Sequence, residues 1–364
     1  METKELEKKN AQKLKAWEEA IKTINKNVKT QTKSKDTQIG FLNDMDVEVE
    51  RFSSGSLILD SILGGGFPRG RVIEIYGPEA SGKTSVALTA IANIQREGGF
   101  CAFIDAEQAL DTRYSAKLGV DWSQLAFSQQ NIAEDVLTLV HHLAETGVCD
   151  LIVVDSIASL SPRTEYEAEI GKQTIGLLAR LLSQALRKLV RVANDNDCSI
   201  MFLNQTRDNI GIMYGPRKTT PGGNALKFYA SQRVEVRRMS QVKEGEEIIG
   251  NEVKMKVVKN KVSRPYGEGV SVLTFNEGIN QAAEIMVMGL ELGVINQVGQ
   301  TFYLPGEHEE TFGYDQTEEG LKLAVYKKNL IDELKINKPL AKEITKLVTA
   351  ELDKRNENAD AVEE

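Results

Sequence analysis

The sequence predicts an α/β protein: a mostly parallel sheet carrying antiparallel strands at one edge, flanked by an N-terminal helix and a small C-terminal α/β region. Three observations predict it. Short, continuous apolar runs end in glycine or a polar residue: VIEIYG (72–77), CAFID (101–105), LIVVD (151–155) and SIMFLN (199–204). Stretches of helical period stand between them, at about 83–97, 132–145 and 175–194. A G-x-x-x-x-G-K-[ST] segment joins the first run to the first helix. Continuous rather than alternating apolar strands, separated by helices, mean a sheet covered on both faces.

Each further element follows in chain order. Residues 3–30 are charged, but Leu14, Trp17, Ile21, Ile24 and Val28 recur at three- and four-residue steps. They form one helical stripe that must pack on the chain's own body or on a neighbour. Residues 29–38 read as a polar linker, and 51–71, with Ser53, Gly55 and Gly64 to Gly66, as loop around one apolar segment. Beyond the core runs, RVEVRR (233–238), EVKMKVVKNKV (252–262) and VSVLTF (270–275) alternate with short connections, so they extend the sheet antiparallel. EIMVMGLELGVI and LAVYKKNLIDELKI read as helices around GQTFYLPG. The last fifteen residues hold six acids against two bases and are expected to be an unstructured tail. The expected divisions are 1–44 (helix and linker), 45–280 (core), 281–350 (small C-terminal domain) and 351–364 (acidic tail). There is no internal repeat.

Composition narrows the classes. The chain has 364 residues, 41% hydrophobic and 27% charged, ordinary for a soluble protein of two or three domains. Cys101, Cys149 and Cys198 each open an apolar run. They read as small buried hydrophobes of a reducing compartment, since neither a disulfide framework nor metal spacing is present. No apolar run approaches the roughly 18 residues of a membrane span, and no signal-peptide core opens the chain, so a cytoplasmic location is expected. A net charge of -8 excludes a uniformly basic nucleic-acid coat but not a local basic groove.

The chemistry gathers at strand ends. Gly77, Pro78, Glu79, Ala80, Ser81, Gly82, Lys83 and Thr84 form a phosphate loop: backbone N–H groups and a helix N-terminus face the phosphates, Lys83 reaches the β- and γ-phosphates, and Thr84 takes a Mg²⁺ position. Asp155 ends LIVVD, where a carboxylate points into the same crevice and can hold the Mg²⁺ shell. A nucleotide's phosphates and Mg²⁺ are expected here. Asp105 and Glu107 end the neighbouring run. Glu107 is the better placed to orient a water, though spacing alone allows a salt bridge equally. Asn204 and Gln205 end a fourth run and either sense a γ-phosphate or cap the strand.

Two segments, 161–176 and 206–228, are longer than α/β connections usually are. The second interleaves Arg207, Arg217 and Lys218 with Ile210, Ile212, Met213 and Tyr214. That pattern suits a splayed nucleic-acid strand, a substrate lid being the alternative.

The segments GPEASGKT, CAFIDAEQALD, LIVVDS, GLLARLLSQALRKL, NQTRDNIGIMYG, TTPGGNALKFYAS and KMKVVKNKV together resemble the RecA family of bacterial homologous-recombination ATPases, over about 45–280 and more loosely to about 350. The resemblance implies a DNA-dependent ATPase that forms a filament on single-stranded DNA and exchanges strands with a homologous duplex in repair. It also implies a co-protease role toward a self-cleaving repressor in the SOS response. Self-association in a helical filament, with residues 1–44 as a subunit contact, is part of that expectation. A ring-forming motor and a nucleotide-gated scaffold are the other readings of the same core.

By the same resemblance, Glu107 activates water, Gln205 relays γ-phosphate status, and Asp111 and Tyr114 hold adenine. Lys259 and Lys261 reach a neighbour's ATP, and Phe228 lies at the subunit contact. Arg180, Arg187, Arg207, Gly222, Gly223 and Asn224 hold the strand's phosphates, with Ile210 and Met213 among the apolar residues wedged between bases. Arg237, Arg238, Lys254 and Lys256 form a secondary DNA site. Three places depart from the family's pattern: Asp208 and Asn209 after Arg207, Thr174 and Ile175 at the end of the first loop, and acids in 296–330.

Overall fold

Val72–Gly77 (β1) is the central strand of a nine-stranded sheet. In the computed structural model, which describes residues 2–32, 39–41, 49–169, 176–208, 218–306 and 312–361, the chain forms two compact units, 1–49 and 50–364. After β1 come Lys83–Arg96 (α1), Phe100–Asp105 (β2), Leu125–Ser128 (β3), Ala133–Glu145 (α2), Cys149–Asp155 (β4), Leu177–Asp195 (α3) and Ser199–Gln205 (β5). The edge strands are Gln232–Glu244 (β6), Glu247–Asn260 (β7), Glu268–Thr274 (β8) and Gly278–Ile279 (β9). The spatial order is β9-β8-β7-β6-β1-β5-β4-β2-β3.

The pleat explains the apolar runs. Side chains alternate between faces, so each strand feeds two cores. Ile73, Ile75, Phe103, Val153 and Met201 pack with Val86, Leu88 and Ile91 of α1. Val72, Ile104, Ile152, Val154 and Phe202 pack with Val136 and Val140 of α2 and Leu182 and Leu186 of α3. A strand flanked by both layers can be apolar at every position.

One expectation at the edge is corrected. β6 joins β1 in parallel, and the antiparallel pairing begins only with β6–β7. The long connection from β5 to β6, with its short helix Ala225–Tyr229, makes the parallel return possible.

The C-terminal region is Gln281–Leu292 (α4), then Asn296–Val298 (β10), Thr301–Leu304 (β11), Gln316–Thr317 (β12) and Gly320–Val325 (β13), then Lys327–Ile336 (α5) and Lys338–Ala361 (α6). Its four strands are ordered β10-β11-β13-β12. Residues 323–325, expected in a helix, belong to β13. The tail beginning at 351, expected to be unstructured, is helical as far as Ala361. Leu340, Ile344 and Val348 are buried at four-residue steps and anchor α6, from which the helix continues. The boundary at 280 is not a break in packing: Ile285, Phe302, Leu330 and Ile344 share one core with α1 and the sheet.

In the first unit the helix Glu2–Thr32 is continuous, and Asn25 brackets the Ile39 backbone, donating to its carbonyl and accepting from its N–H, both at 2.8 Å. The unit ends at residue 49 rather than at the expected 44. Leu14 and Trp17 of the apolar stripe are exposed. Among the described residues no helix is long and apolar enough to cross a membrane.

Glu284, in the first turn of α4, is buried, with Ser56 and Ser271 both donating to its Oε1 while Oε2 has no hydrogen-bond partner among the described residues. Burial pushes its pKa up to about 7, outweighing those two hydroxyls. The folded state therefore holds a proton there that the unfolded chain releases near pH 4.5. The stability this proton confers is complete below that pH and is lost as pH rises through about 7, a loss of roughly 3 kcal/mol. Glu284→Gln should flatten this dependence, raising the urea midpoint at pH 8.5 while leaving it nearly unchanged at pH 5. Parallel pH profiles for variant and wild type would contradict the assignment.

Candidate active site

The C-terminal ends of β1, β5, β4 and β2 lie side by side, and each delivers one functional segment. β1 ends at Gly77, and the loop that follows passes through positive φ at Ala80 (52°) and Gly82 (97°) before α1 starts at Lys83. Gly77 has no substitute: a Cβ there would lie 2.0 Å from the Val236 carbonyl oxygen of β6. The loop is thus seated against the neighbouring strand.

Lys83 is buried, and its Nζ donates to the Pro78 carbonyl at 2.8 Å. Burial lowers its pKa, while Asp155, Glu107 and Glu79 oppose the shift. Thr84 Oγ1 donates to Asp155 Oδ2 at 2.6 Å. Burial pushes Asp155 up to about 6, against the Thr84 hydrogen bond and the Lys83 charge. A carboxylate so desolvated beside a hydroxyl suits a cation that would share both oxygens. Ser81 Oγ is buried with no partner among the described residues. An orphaned hydroxyl and an ammonium held only by a backbone carbonyl fit the oxygens of a phosphate chain. Thr84 and Asp155 fit its Mg²⁺.

Spacing favoured Glu107 over Asp105, and the structure gives the two different partners. Asp105 accepts from the Ala109 and Leu110 N–H groups and so shapes the loop after β2. Glu107 turns toward β4 and β5, where its Oε1 accepts from Ser156 Oγ and, at 2.8 Å, from Gln205 Nε2. Asn204 and Gln205 also part. Asn204 Nδ2 donates to buried Glu74 and to the Pro221 carbonyl, while only Gln205 faces Glu107. Asp111 caps the helix Thr112–Lys117 by accepting from the Arg113 and Tyr114 N–H groups. The Tyr114 hydroxyl bonds Ser85 Oγ at 2.8 Å, which fixes the ring against the start of α1.

The second long loop is clasped at its base. Thr206 N–H donates to the Gly77 carbonyl, and Arg207–Asp208 pair with Lys218–Thr219. Ile210 and Met213, with residues 209–217 generally, lie outside the described residues, as do 170–175 of the first loop. At the exit, Gly222 (φ 85°) and Gly223 (φ 74°) press on α3, where added Cβ atoms would meet Leu182 at 2.6 Å and Ala179 at 2.9 Å. Arg180 and Arg187 stand two turns apart on the exposed face of α3, and Arg207 and Asn224 are exposed. The segments expected to hold a strand therefore converge.

Lys259 and Lys261 sit elsewhere. Their ammonium groups donate to the carbonyls that close the helix Ala225–Tyr229, Lys259 to Lys227 and Phe228 and Lys261 to Phe228. They bond no residue of their own chain's phosphate loop. Burial, with Lys261 and Arg233 nearby, lowers Lys259 to about 8. Phe228 beside them is 72% exposed.

The secondary basic patch is less positive than its sequence suggests. Arg237 pairs with Glu235, and Lys254 and Lys256 both pair with Glu268, which they hold down at about 2. Of the four residues expected there, Arg238 alone has no ion pair among the described residues. Glu235, Glu268, Ser156 and Ser85 were missed by sequence reasoning. Only Ser156 carried a signal, as the last residue of LIVVDS.

A phosphate loop between a central strand and its helix, with carboxylates at adjacent parallel strand ends, defines a phosphate-loop nucleotide-binding α/β protein. Comparison with known proteins narrows the class. The RecA N-terminal domain model matches residues 15–280. Curated relatives named Protein RecA include those of Delftia acidovorans (48% identical over 299 residues, 82% of this chain and 80% of that protein) and Acinetobacter baylyi (45% over 313 residues, 85% and 86%). Psychrobacter cryohalolentis has another, 45% identical over 310 residues (85% and 84%). The chain belongs to the RecA family, a family of ATP- and DNA-binding recombination and repair proteins.

Proposed function

We propose that this chain is a DNA-dependent ATPase that assembles a helical filament on single-stranded DNA and pairs that strand with a homologous duplex during recombinational repair in the cytoplasm. The observation that carries the reading is the hydrogen bond from Gln205 to Glu107. It joins the foot of the second long loop to the carboxylate beside the phosphate loop.

In this reading Lys83, Ser81 and the loop's N–H groups bind the phosphates of ATP. Mg²⁺ held at Thr84 and Asp155 would neutralise charge on the β- and γ-phosphates. A γ-phosphate oxygen offers the Gln205 amide a second acceptor. When the amide turns to it, Oε1 of Glu107 is freed to accept a proton from the attacking water. The same turn moves Thr206 and Arg207, so nucleotide and strand affinities are coupled reciprocally. Lys259 and Lys261 act on the neighbouring subunit's ATP, stabilising charge in trans as an arginine finger does. Arg180, Arg187, Arg207 and Asn224 hold the strand's backbone, and base pairing tests sequence. Stimulation of a repressor's self-cleavage by the filament is an added role of the same assembly.

ATP turnover measured with and without single-stranded DNA across a salt series tests the reading, together with electron microscopy in a slowly hydrolysed analogue. Stimulation by DNA and filaments are expected. Turnover indifferent to DNA would overturn the reading, and closed rings would favour a ring-forming motor. Lys259→Ala should lower DNA-stimulated turnover about 100-fold, with nucleotide binding by the isolated subunit unchanged. Equal turnover in variant and wild type would remove the trans role.

A further inference from the structure

A cavity of about 740 Å³ lies between α1, the turn after Lys117, and helices α4, α5 and α6. It is separate from the phosphate loop, none of whose residues lines it. Its size falls within the range of small-molecule sites. Arg96, Lys117, Lys338 and Lys342 line it, and none of these four cations has an ion pair among the described residues. Lys117 donates to the Asn276 side chain and Arg96 to a carbonyl of its own helix, both neutral acceptors. Glu277 is the single acid in the lining, and Lys335 already neutralises it at 2.7 Å.

Such a concentration runs against the charge of the chain. The chain as a whole carries a net charge of -8, yet here four like charges face one space. Lys338 opens α6, whose first turn holds no acid, and Lys342 lies just beyond that turn. A helix start already carries positive partial charge, so lysines there are disfavoured unless an anion sits nearby. Ile285 of α4 and Leu334 of α5 add apolar wall beneath the basic rim. Several phosphates would satisfy the rim, and an organic body would cover the wall. Because elements surround the space on several sides, it suits a compact molecule better than a continuous strand.

We infer that this cavity binds a small organic polyphosphate of the nucleoside di- or triphosphate class, as a second nucleotide site distinct from the phosphate loop. The test uses the full chain and adenosine diphosphate as the probe, in equilibrium dialysis combined with lysine-acylation footprinting. Two equivalents of the nucleotide are expected, the second protecting Lys117, Lys338 and Lys342. Lys338→Ala with Lys342→Ala should weaken the second equivalent about tenfold or more and leave the first unchanged. Arg96→Ala with Lys117→Ala should do the same. All four side chains are exposed, so the fold is not at risk. Lys83→Ala should remove the first equivalent and spare the second, so loss of the phosphate-loop assignment and loss of this one are distinguishable. A single equivalent, or a second one indifferent to both pairs, overturns the proposal. Inorganic tripolyphosphate protecting the lysines as strongly as the nucleotide would overturn the organic part. A single-stranded oligonucleotide protecting them where the nucleotide does not would assign the cavity to a nucleic-acid backbone instead.

Discussion

Lys83→Ala should reduce DNA-stimulated ATP turnover by roughly a thousandfold or more, to the limit of detection. The side chain is the one cation of the phosphate loop, and three carboxylates, Asp155, Glu107 and Glu79, bear on it electrostatically. In the proposed reading those charges surround the place of the triphosphate. Without the ammonium they repel it, and the buried Ser81 hydroxyl cannot compensate. The expected result is loss of both nucleotide affinity and the DNA affinity coupled to it, with an unaltered circular-dichroism spectrum. Turnover equal to wild type would sink the nucleotide-site assignment.

Glu107→Gln should behave differently. The amide oxygen can still accept from Ser156 and Gln205, so the cross-strand contacts of the free chain survive. What disappears is the group that, in the proposed reading, takes the water's proton. Hydrolysis should therefore slow about 100- to 10,000-fold, while nucleotide and single-strand binding persist, and filaments should accumulate because the triphosphate state is no longer consumed. Single-turnover hydrolysis and strand binding, measured on one preparation, check it. A parallel collapse of strand binding would make Glu107 a structural residue.

The sheet was legible because its central strands are buried on both faces, which leaves unbroken apolar runs that few other structures need. β3 escaped notice for the opposite reason. It is a four-residue edge strand, LAFS, with Ala126 and Phe127 exposed, too short and too mixed to stand out. The phosphate loop was legible because backbone geometry demands glycine at fixed spacing. Whether the Glu107 carboxylate is tied in a salt bridge was not, since spacing carries no partners, and only the packed strand ends show that it meets Ser156 and Gln205. Glu268 was invisible as a partner of Lys254 and Lys256 because cross-strand register appears only once β7 and β8 pair. Nothing in the sequence marks Glu284, because Ser56, which bonds it, is distant in sequence.

The clasp at the base of the second long loop has an entropic consequence. Thr206 is tied to Gly77, Arg207–Asp208 to Lys218–Thr219, and Pro221 to Asn204. The two ends of the segment are thus brought together by the fold itself, before any strand arrives. Loop closure is the part of ordering that a ligand would otherwise have to offset. In the proposed reading, a strand that binds here meets two ends of the segment already joined. Tension on that segment also has a short route out. Through Thr206 it bears directly on Gly77, the residue that opens the phosphate loop, so in the proposed reading grip on the strand and the shape of the nucleotide cradle share one backbone hydrogen bond.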